Sequence, residues 1–371
     1  MKYKLTQEQE ILKQTIAEFS LSEITPQAPK LDWDAKASIE LLSKLRNLGL
    51  YGIAVPQEYG GAGADFLSLV IAIEELSKSS ASFGAMLSFH NAVICEALVA
   101  SSNSELKSKL LPKLTNGSIG AFLIDEKSTI SIEMEEEGIV IDGLADYVMS
   151  AAVAEVFLIV GKLRNGNYAI ICFSKDELAE NHNFTVGEER KLLGMRASAT
   201  ASLSLKKLKL PIGSLLFEPK LGERPFEQLL SRSRVAVSAQ ALGIAQAALD
   251  ASVKYANERS QFNKKIGSFY AIRDMIAIDE MNTQTARSFT YTVASDITNS
   301  ATLRRDSGIA KVSASNASVQ VAKHSIRIHG GYGYMRDYPV ERYLRDARLT
   351  QIYIESNEKI KSEIARSLLT R

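Results

Sequence analysis

Three zones with different hydrophobic periods follow one another along the 371-residue chain, and their order excludes most architectures. From residue 1 to 117 apolar side chains recur at helical spacing. Ile11, Ile16 and Phe19 mark one face; Leu41, Leu42, Leu45 and Leu48 mark another, which Gly49 is expected to stop. Asp65 to Ser77 and Phe83 to Ala100 read as two more apolar helices, and "NSELKSKLLPKLTNG" closes the zone at a glycine. From 118 to 217 the period shortens. β-rich runs such as "GAFLID", "EVFLIVGKL" and "NYAIICFS" alternate with turn signals, and Asn165-Gly166 between two apolar runs predicts a hairpin. From 218 to 371 helix returns. The proline-free, alanine-rich stretch 226–260 predicts one long packed helix. Further helices are expected over 268–300 and 307–329. A last one begins near Ser356 and buries Ile360, Ile364 and Leu368.

A β zone between two helical zones is not a βαβ alternation, so a doubly wound nucleotide-binding sheet is disfavoured and a multidomain α+β chain is expected. The glycine-rich "EYGGAGAD" (residues 58–65) has no strand before it and reads as a helix–helix connection rather than a phosphate loop. The formal net charge of +1 argues against nucleic-acid or acidic-membrane partners. Cys95 and Cys172 stand beside apolar residues, as buried thiols in a reducing compartment would. The four histidines lack metal-ligand spacing, so no metal site is expected. The N-terminus reads as an amphipathic helix rather than a secretory signal, and no apolar run is seen to reach the ~18 to 20 residues that span a bilayer. A cytoplasmic protein is the expectation.

"YANERSQF" followed by "IHGGYGYMRDYPVERYLRDARLTQIY", with "EYGGAGAD", "LLGMRASATASL" and "AQALGIAQAALD", resembles the acyl-CoA dehydrogenase family over nearly the whole chain. The resemblance implies an N-terminal helical domain (1–117), a β-barrel-like middle domain (118–217) and a C-terminal four-helix bundle (218–371). It also implies FAD held between the last two, an acyl-CoA or acyl-carrier-protein substrate and an electron-transfer partner. The assembly implied is a homo- or hetero-oligomer, dimer or tetramer, in which neighbouring subunits touch the cofactor. Family members oxidise the Cα–Cβ bond of acyl thioesters; a glutamate takes the α-proton and flavin takes the hydride.

Carried over by position, the cofactor-binding residues are Phe122, Ile124, Asp125, Tyr147, Met149, Arg259, Phe262, Arg327, Gly330, Gly331, Ser356 and Glu358. Arg234, Tyr353 and Ile354 fall at the substrate. An arginine suits a pyrophosphate because its forked donors match the anion. Arg259 and Phe262 are three apart at an expected helix end, so both can point one way. Glycines in "HGGYG" let backbone approach a ligand closely. Ser356 can cap the last helix.

The departures gather at the reactive side. The family's Tyr-Glu-Gly-Thr reads Tyr353-Ile354-Glu355-Ser356, so Ile354 fills the base position. A second family location for the base falls on Ser233, a poor proton acceptor without a partner. Glu355 is the remaining candidate for catalytic base, on condition that the local backbone turns it inward; otherwise it is a solvated residue at a helix start. Asn263 stands for a family glycine, Arg327 for a glutamine, and Asp125 for a neutral threonine. Met149 replaces a threonine that hydrogen-bonds near flavin N5. Three functions remain open at this level. One is a dehydrogenase of a specialised, perhaps biosynthetic, carrier-linked thioester. The others are a catalytically deficient subunit of a hetero-oligomer and a flavin monooxygenase on the same fold.

Overall fold

A computed structural model describes residues 4–124, 129–136, 138–178, 182–218, 224–298 and 302–369. The first helices are α1 (Gln7–Phe19), α2 (Ala28–Asp34), α3 (Ile39–Asn47), α4 (Phe66–Ser79), α5 (Ala81–Ser88), α6 (Glu96–Ala100) and α7 (Ser104–Thr115). Local chemistry sets their starts. Thr6 and Gln9 form a reciprocal capping box on α1, and the Asp65 carboxylate accepts the Ser68 N–H at the head of α4. Gly49, at φ +71°, ends the α3 turn as its position suggested. Ile16 is buried on α1, whereas Ile11 is exposed and leaves the expected face incomplete.

The segment from α5 to α6 is continuous through a π-helical stretch, Phe89–Cys95. Ala81–Ala100 is 20 residues long with mean hydropathy 1.5, so one run does reach the length and apolarity of a bilayer-crossing helix, contrary to the sequence expectation. The structure buries 83% of that window within the protein, where α5 packs against α4 and α8. Composition over a window cannot tell a core helix from a spanning one; its surroundings can.

The strands are β1 (Gly120–Ile124), β2 (Ile130–Glu135), β3 (Gly138–Val148), β4 (Val156–Lys162), β5 (Tyr168–Ser174), β6 (Phe184–Glu189) and β7 (Ala201–Leu210). They form a three-stranded sheet in the order β1-β4-β5 and a four-stranded one in the order β2-β3-β7-β6. The sheets are joined by an isolated bridge, Ile132 to Leu163, rather than by a continuous ladder. The barrel-like expectation is therefore corrected: among the described residues there are two sheets packed over a shared apolar core, not a closed barrel. The Asn165-Gly166 hairpin forms as expected, with Gly166 at φ +88° between antiparallel β4 and β5. β1 pairs in parallel with β4, a partner that no local turn could specify.

The C-terminal part contains α8 (Arg224–Glu258), α9 (Tyr270–Ser295), α10 (Leu303–His329), α11 (Val340–Thr350) and α12 (Asn357–Leu369). α8 is the axial element, 35 residues long, and packs against α4, α9, α10 and α11. Between α8 and α9 lies a small hairpin, β8 (Ser260–Gln261) with β9 (Lys264–Lys265). Ile360 is fully buried on α12, but Leu368 is 55% exposed, so the expected apolar face holds only for the first turns of that helix.

Candidate active site

A 240 Å³ cavity opens where the strand region meets the C-terminal helices. Its walls come from β1 (Phe122, Leu123, Ile124), the end of β3 and the residue after it (Tyr147, Met149), the last turn of α11 and the segment after it (Leu349, Tyr353, Ile354), and the segment after α5 (Phe89). Leu192 and Thr200 complete the lining. The expected residues Phe122, Ile124, Tyr147, Met149, Tyr353 and Ile354 are thus brought together from positions up to 232 apart in the chain. Phe89, Leu123, Leu192, Thr200 and Leu349 join them, and none of the five was named as a site residue from the sequence. The family-like segments "LLGMRASATASL" and "IHGGYGYMRDYPVERYLRDARLTQIY" contain three of them, Leu192, Thr200 and Leu349. The first segment is held to α11 by the Met195 N–H, which donates to Asp346 Oδ1 at 2.5 Å. Arg345 reinforces it by donating to the Leu193 carbonyl at 2.8 Å.

The lining is mostly apolar. Thr200 carries a hydroxyl within 2.9 Å of Ser198 Oγ. Tyr353 packs edge-on to Phe89 and donates its hydroxyl to Gln240 Oε1 on α8. Burial pushes the Tyr353 phenol well above its ordinary range. Tyr147 is 71% exposed, leaving a flat aromatic surface at the mouth.

The turn Tyr353-Ile354-Glu355 decides the chemistry. Ile354 has φ +66°, in the left-handed region that a β-branched residue rarely enters. Its side chain lines the cavity while that of Glu355 does not. The Glu355 carboxylate is fully buried against Arg234, with Oε2 accepting from Nε at 2.8 Å and lying 2.6 Å from Nη2. Lys359 Nζ lies 3.0 Å from its other oxygen, and Lys311 Nζ donates to the Glu355 carbonyl at 2.5 Å. Both sequence expectations for Glu355 are corrected. It is neither turned into the cavity as a base nor solvated at a helix start, because a buried guanidinium claims it. The expectation for Arg234 changes with it. The side chain is fully buried, donating to Glu355, to Glu363 and to the Arg304 carbonyl, and is not presented to a substrate. Burial would raise the Glu363 carboxyl, but hydrogen bonds from Arg304 and Arg234 win and hold it at about 2. Ser233 donates back to the Leu229 carbonyl of its own helix at 2.8 Å and stays out of the cavity.

A second recess, a 530 Å³ surface groove, gathers Arg259, Gly330 and Gly331 with Tyr255, His329 and Tyr332. Tyr255 and His329 stack at 4.1 Å, and the Arg259 guanidinium lies 5.6 Å from the Tyr332 ring centre. At Gly330 and Gly331 the space where a Cβ would sit is open. Phe262 is placed differently from expectation. The chain leaves helix at Glu258, and Phe262 and Asn263, at φ +52° and +60°, form the two-residue turn of the β8–β9 hairpin. The helical-spacing argument for a common direction with Arg259 therefore fails, and Phe262 projects with 86% of its surface exposed. Asn263 can replace a glycine there because asparagine tolerates the left-handed region.

Arg327 is exposed on the last turn of α10, and its carbonyl accepts the Gly330 N–H. Ser356 caps α12 by accepting the Lys359 N–H at 3.2 Å, as its position suggested. Glu358 is exposed in the first turn of that helix. Asp125 lies outside the described residues.

Comparison with known proteins agrees with this architecture. The family description "Acyl-CoA dehydrogenase, N-terminal domain" matches residues 6–118, and "Acyl-CoA dehydrogenase, C-terminal domain" matches 222–369. An acyl-CoA dehydrogenase of Bacillus subtilis is 33% identical, the match covering 98% of this chain and 99% of that protein. The NADH-dependent acryloyl-CoA reductase of Anaerotignum propionicum is also 33% identical, over 100% and 97%. The structure of butyryl-CoA dehydrogenase from Megasphaera elsdenii superposes with a TM-score of 0.93 at 28% identity, covering all of both chains. With both terminal regions matched, relatives aligned from end to end and the same helix–sheet–helix order, this chain belongs to the acyl-CoA dehydrogenase family.

Proposed function

We propose that the protein is an FAD-dependent dehydrogenase of a specialised acyl thioester, carried on CoA or an acyl carrier protein, that passes its electrons to a partner and works as an oligomer. The observation that carries this reading is the apolar cavity itself, with β-domain residues on one wall and the Tyr353-Ile354 turn on the other. The residues present fit the cofactor. Phe122, Ile124, Tyr147 and Met149 offer a flat apolar slot of the kind a tricyclic ring needs. Arg259 stands beside an open glycine turn and an aromatic floor, which suit a pyrophosphate and a purine. Bound FAD supplies two-electron oxidation.

The chain's own contribution is exclusion and positioning rather than proton abstraction. Among the described residues, no carboxylate lines the cavity. The Tyr353 phenol stays protonated because burial raises its pKa, so it orients through Gln240 instead of accepting a proton. A missing general base lowers the rate by ~10²- to 10⁴-fold for an ordinary substrate. The favoured substrate therefore has a proton acidic enough to leave without one. The test is direct. The purified protein is expected to be yellow with bound flavin, and a panel of CoA- and carrier-linked thioesters should include one that bleaches it anaerobically. Flavin that no member of the panel reduces would sink the reading.

A second reading rests on the same turn. With Ile354 on the wall and Glu355 sequestered, the chain suits a subunit that lends its Arg259 groove to a complete paralogue. Turnover by the isolated protein would refute it.

A further inference from the structure

The geometry points to Glu355 as a positioning residue that fixes Ile354 as the wall limiting the acyl group, an inference that rests on the acyl-thioester reading above. An isoleucine at φ +66° is strained and stays there only if its neighbours over-determine the backbone. Those neighbours are pinned on both sides. Before Ile354, the Tyr353 hydroxyl is tied to Gln240 on α8. After it, Glu355 is tied through its carboxylate to Arg234 on α8, at 2.8 Å, and through its carbonyl to Lys311 on α10, at 2.5 Å. Two residues further on, the Asn357 N–H donates to the Gln351 carbonyl at 3.0 Å and closes the turn on itself.

The anchors leave Ile354 no room to relax toward negative φ without breaking a buried ion pair. In that conformation its side chain lines the same cavity as Phe89, Phe122, Leu349 and Tyr353, while the hydroxyl of Thr200, also on the lining, is within 2.9 Å of Ser198. Phe89, Phe122 and Leu349 are hydrocarbon and the Tyr353 hydroxyl is spent on Gln240, so the part of the thioester that lies beside Ile354 is its acyl chain and not the carrier. Ile354 then acts as a fixed apolar stop. It selects small or compact acyl groups by filling the space a longer chain would need, and Glu355 acts through it rather than on the substrate.

The experiment uses the flavin-loaded holoprotein and two series of redox-inert alkyl thioethers with increasing chain length, one of CoA and one of an acyl carrier protein's phosphopantetheine. Binding is read from the perturbation of the flavin absorption band, so no turnover is required; thioesters of the same lengths supply kcat/KM. Ile354→Gly is expected to improve the affinity ratio of the longest to the shortest analogue at least tenfold. Glu355→Ala is expected to move the ratio the same way by at least threefold, since the stop is loosened but not removed. Glu355→Gln, which keeps an oxygen for Arg234 Nε, restores most of the wild-type preference. If Glu355→Ala does not fold, the double change Arg234→Met with Glu355→Met removes both buried charges together and is read in its place. Ratios unchanged in folded, flavin-loaded variants overturn the positioning role while leaving the thioester reading intact. A wild-type holoprotein whose flavin responds to no analogue overturns both.

Discussion

At position 354 the side chain and the backbone pull in different directions. Isoleucine favours extended backbone, yet φ is +66° and its side chain faces the cavity. The residue that could act as a base, Glu355, is held in a buried pair with Arg234. Truncating one member of such a pair leaves an uncompensated charge, at a cost of about 3–5 kcal/mol. That Ile354 stands where the resemblance puts the base was read from the sequence, on the match of the segments that flank it. The fate of Glu355 was not, since its partner lies 121 residues away on α8. If Ile354 marks the missing base and nothing else is lost, Ile354→Glu places a carboxylate on the cavity wall. The flavin of that variant should then be reduced by ordinary saturated acyl-CoA at least tenfold faster than that of the wild type. Stopped-flow bleaching measures this, and equal rates would show that the site is altered more deeply.

Among the elements, the crossing of α4 and α8 depends on one close approach. A Cβ at Gly243 would lie 2.4 Å from the Glu74 carbonyl and 2.6 Å from Ser77 Cβ. The backbone carbonyl cannot move aside cheaply, so Gly243→Ala must separate the helices. The gain in helix propensity, about 1 kcal/mol, is too small to offset overpacking of about 1–3 kcal/mol against fixed backbone. A lower denaturation midpoint is expected for the variant; an unchanged or higher one would mean that the crossing is looser than the structure shows. The sequence marked α8 as one long helix because it is alanine-rich and free of proline. It did not show that its one glycine, Gly243, meets a neighbouring helix. The β8–β9 hairpin escaped notice for a related reason. Phe262-Asn263 is a poor turn signal, and the residues adopt left-handed backbone because register between Gln261 and Lys264 requires it.

For the molecule as a whole, His90 ties the first helical region to the strands. Its Nε2 lies 3.0 Å from the Tyr51 carbonyl, and its Nδ1 accepts the Gly120 N–H at 3.2 Å. A second proton would face that N–H, and burial, opposed in part by the Tyr51 hydrogen bond, lowers the imidazole from 6.5 to about 4. The sign follows from linkage. The unfolded chain binds the proton first, so stability is fully present above pH 6.5 and is lost as pH falls toward 4. For a fully buried group this amounts to on the order of 3 kcal/mol. Asp346 acts oppositely. Burial raises it to about 6 against the pull of the Met195 N–H, so its effect is to lower stability as pH rises from 3.8 toward 6. The two nearly cancel between those values, which makes the difference between proteins the informative quantity. The stability of the wild type relative to His90→Asn should fall as pH drops from 6.5 to 4, as read by urea midpoints; a pH-independent difference would contradict the neutral bridging role.

By itself the sequence determined the order of helical, strand and helical regions and the family. These depend on local period, local turn chemistry and ungapped motifs, all written within short windows of chain. Tertiary structure alone decided that the strands form two sheets instead of a barrel and that the apolar run Ala81–Ala100 lies inside the protein. It also decided that Arg234 serves Glu355 rather than a substrate, and that Ile354 stands on the cavity wall in a strained conformation. Each of those outcomes is a pairing between residues far apart in the chain. Burial and charge choose such partners only after the chain has folded, and no spacing along it records the choice.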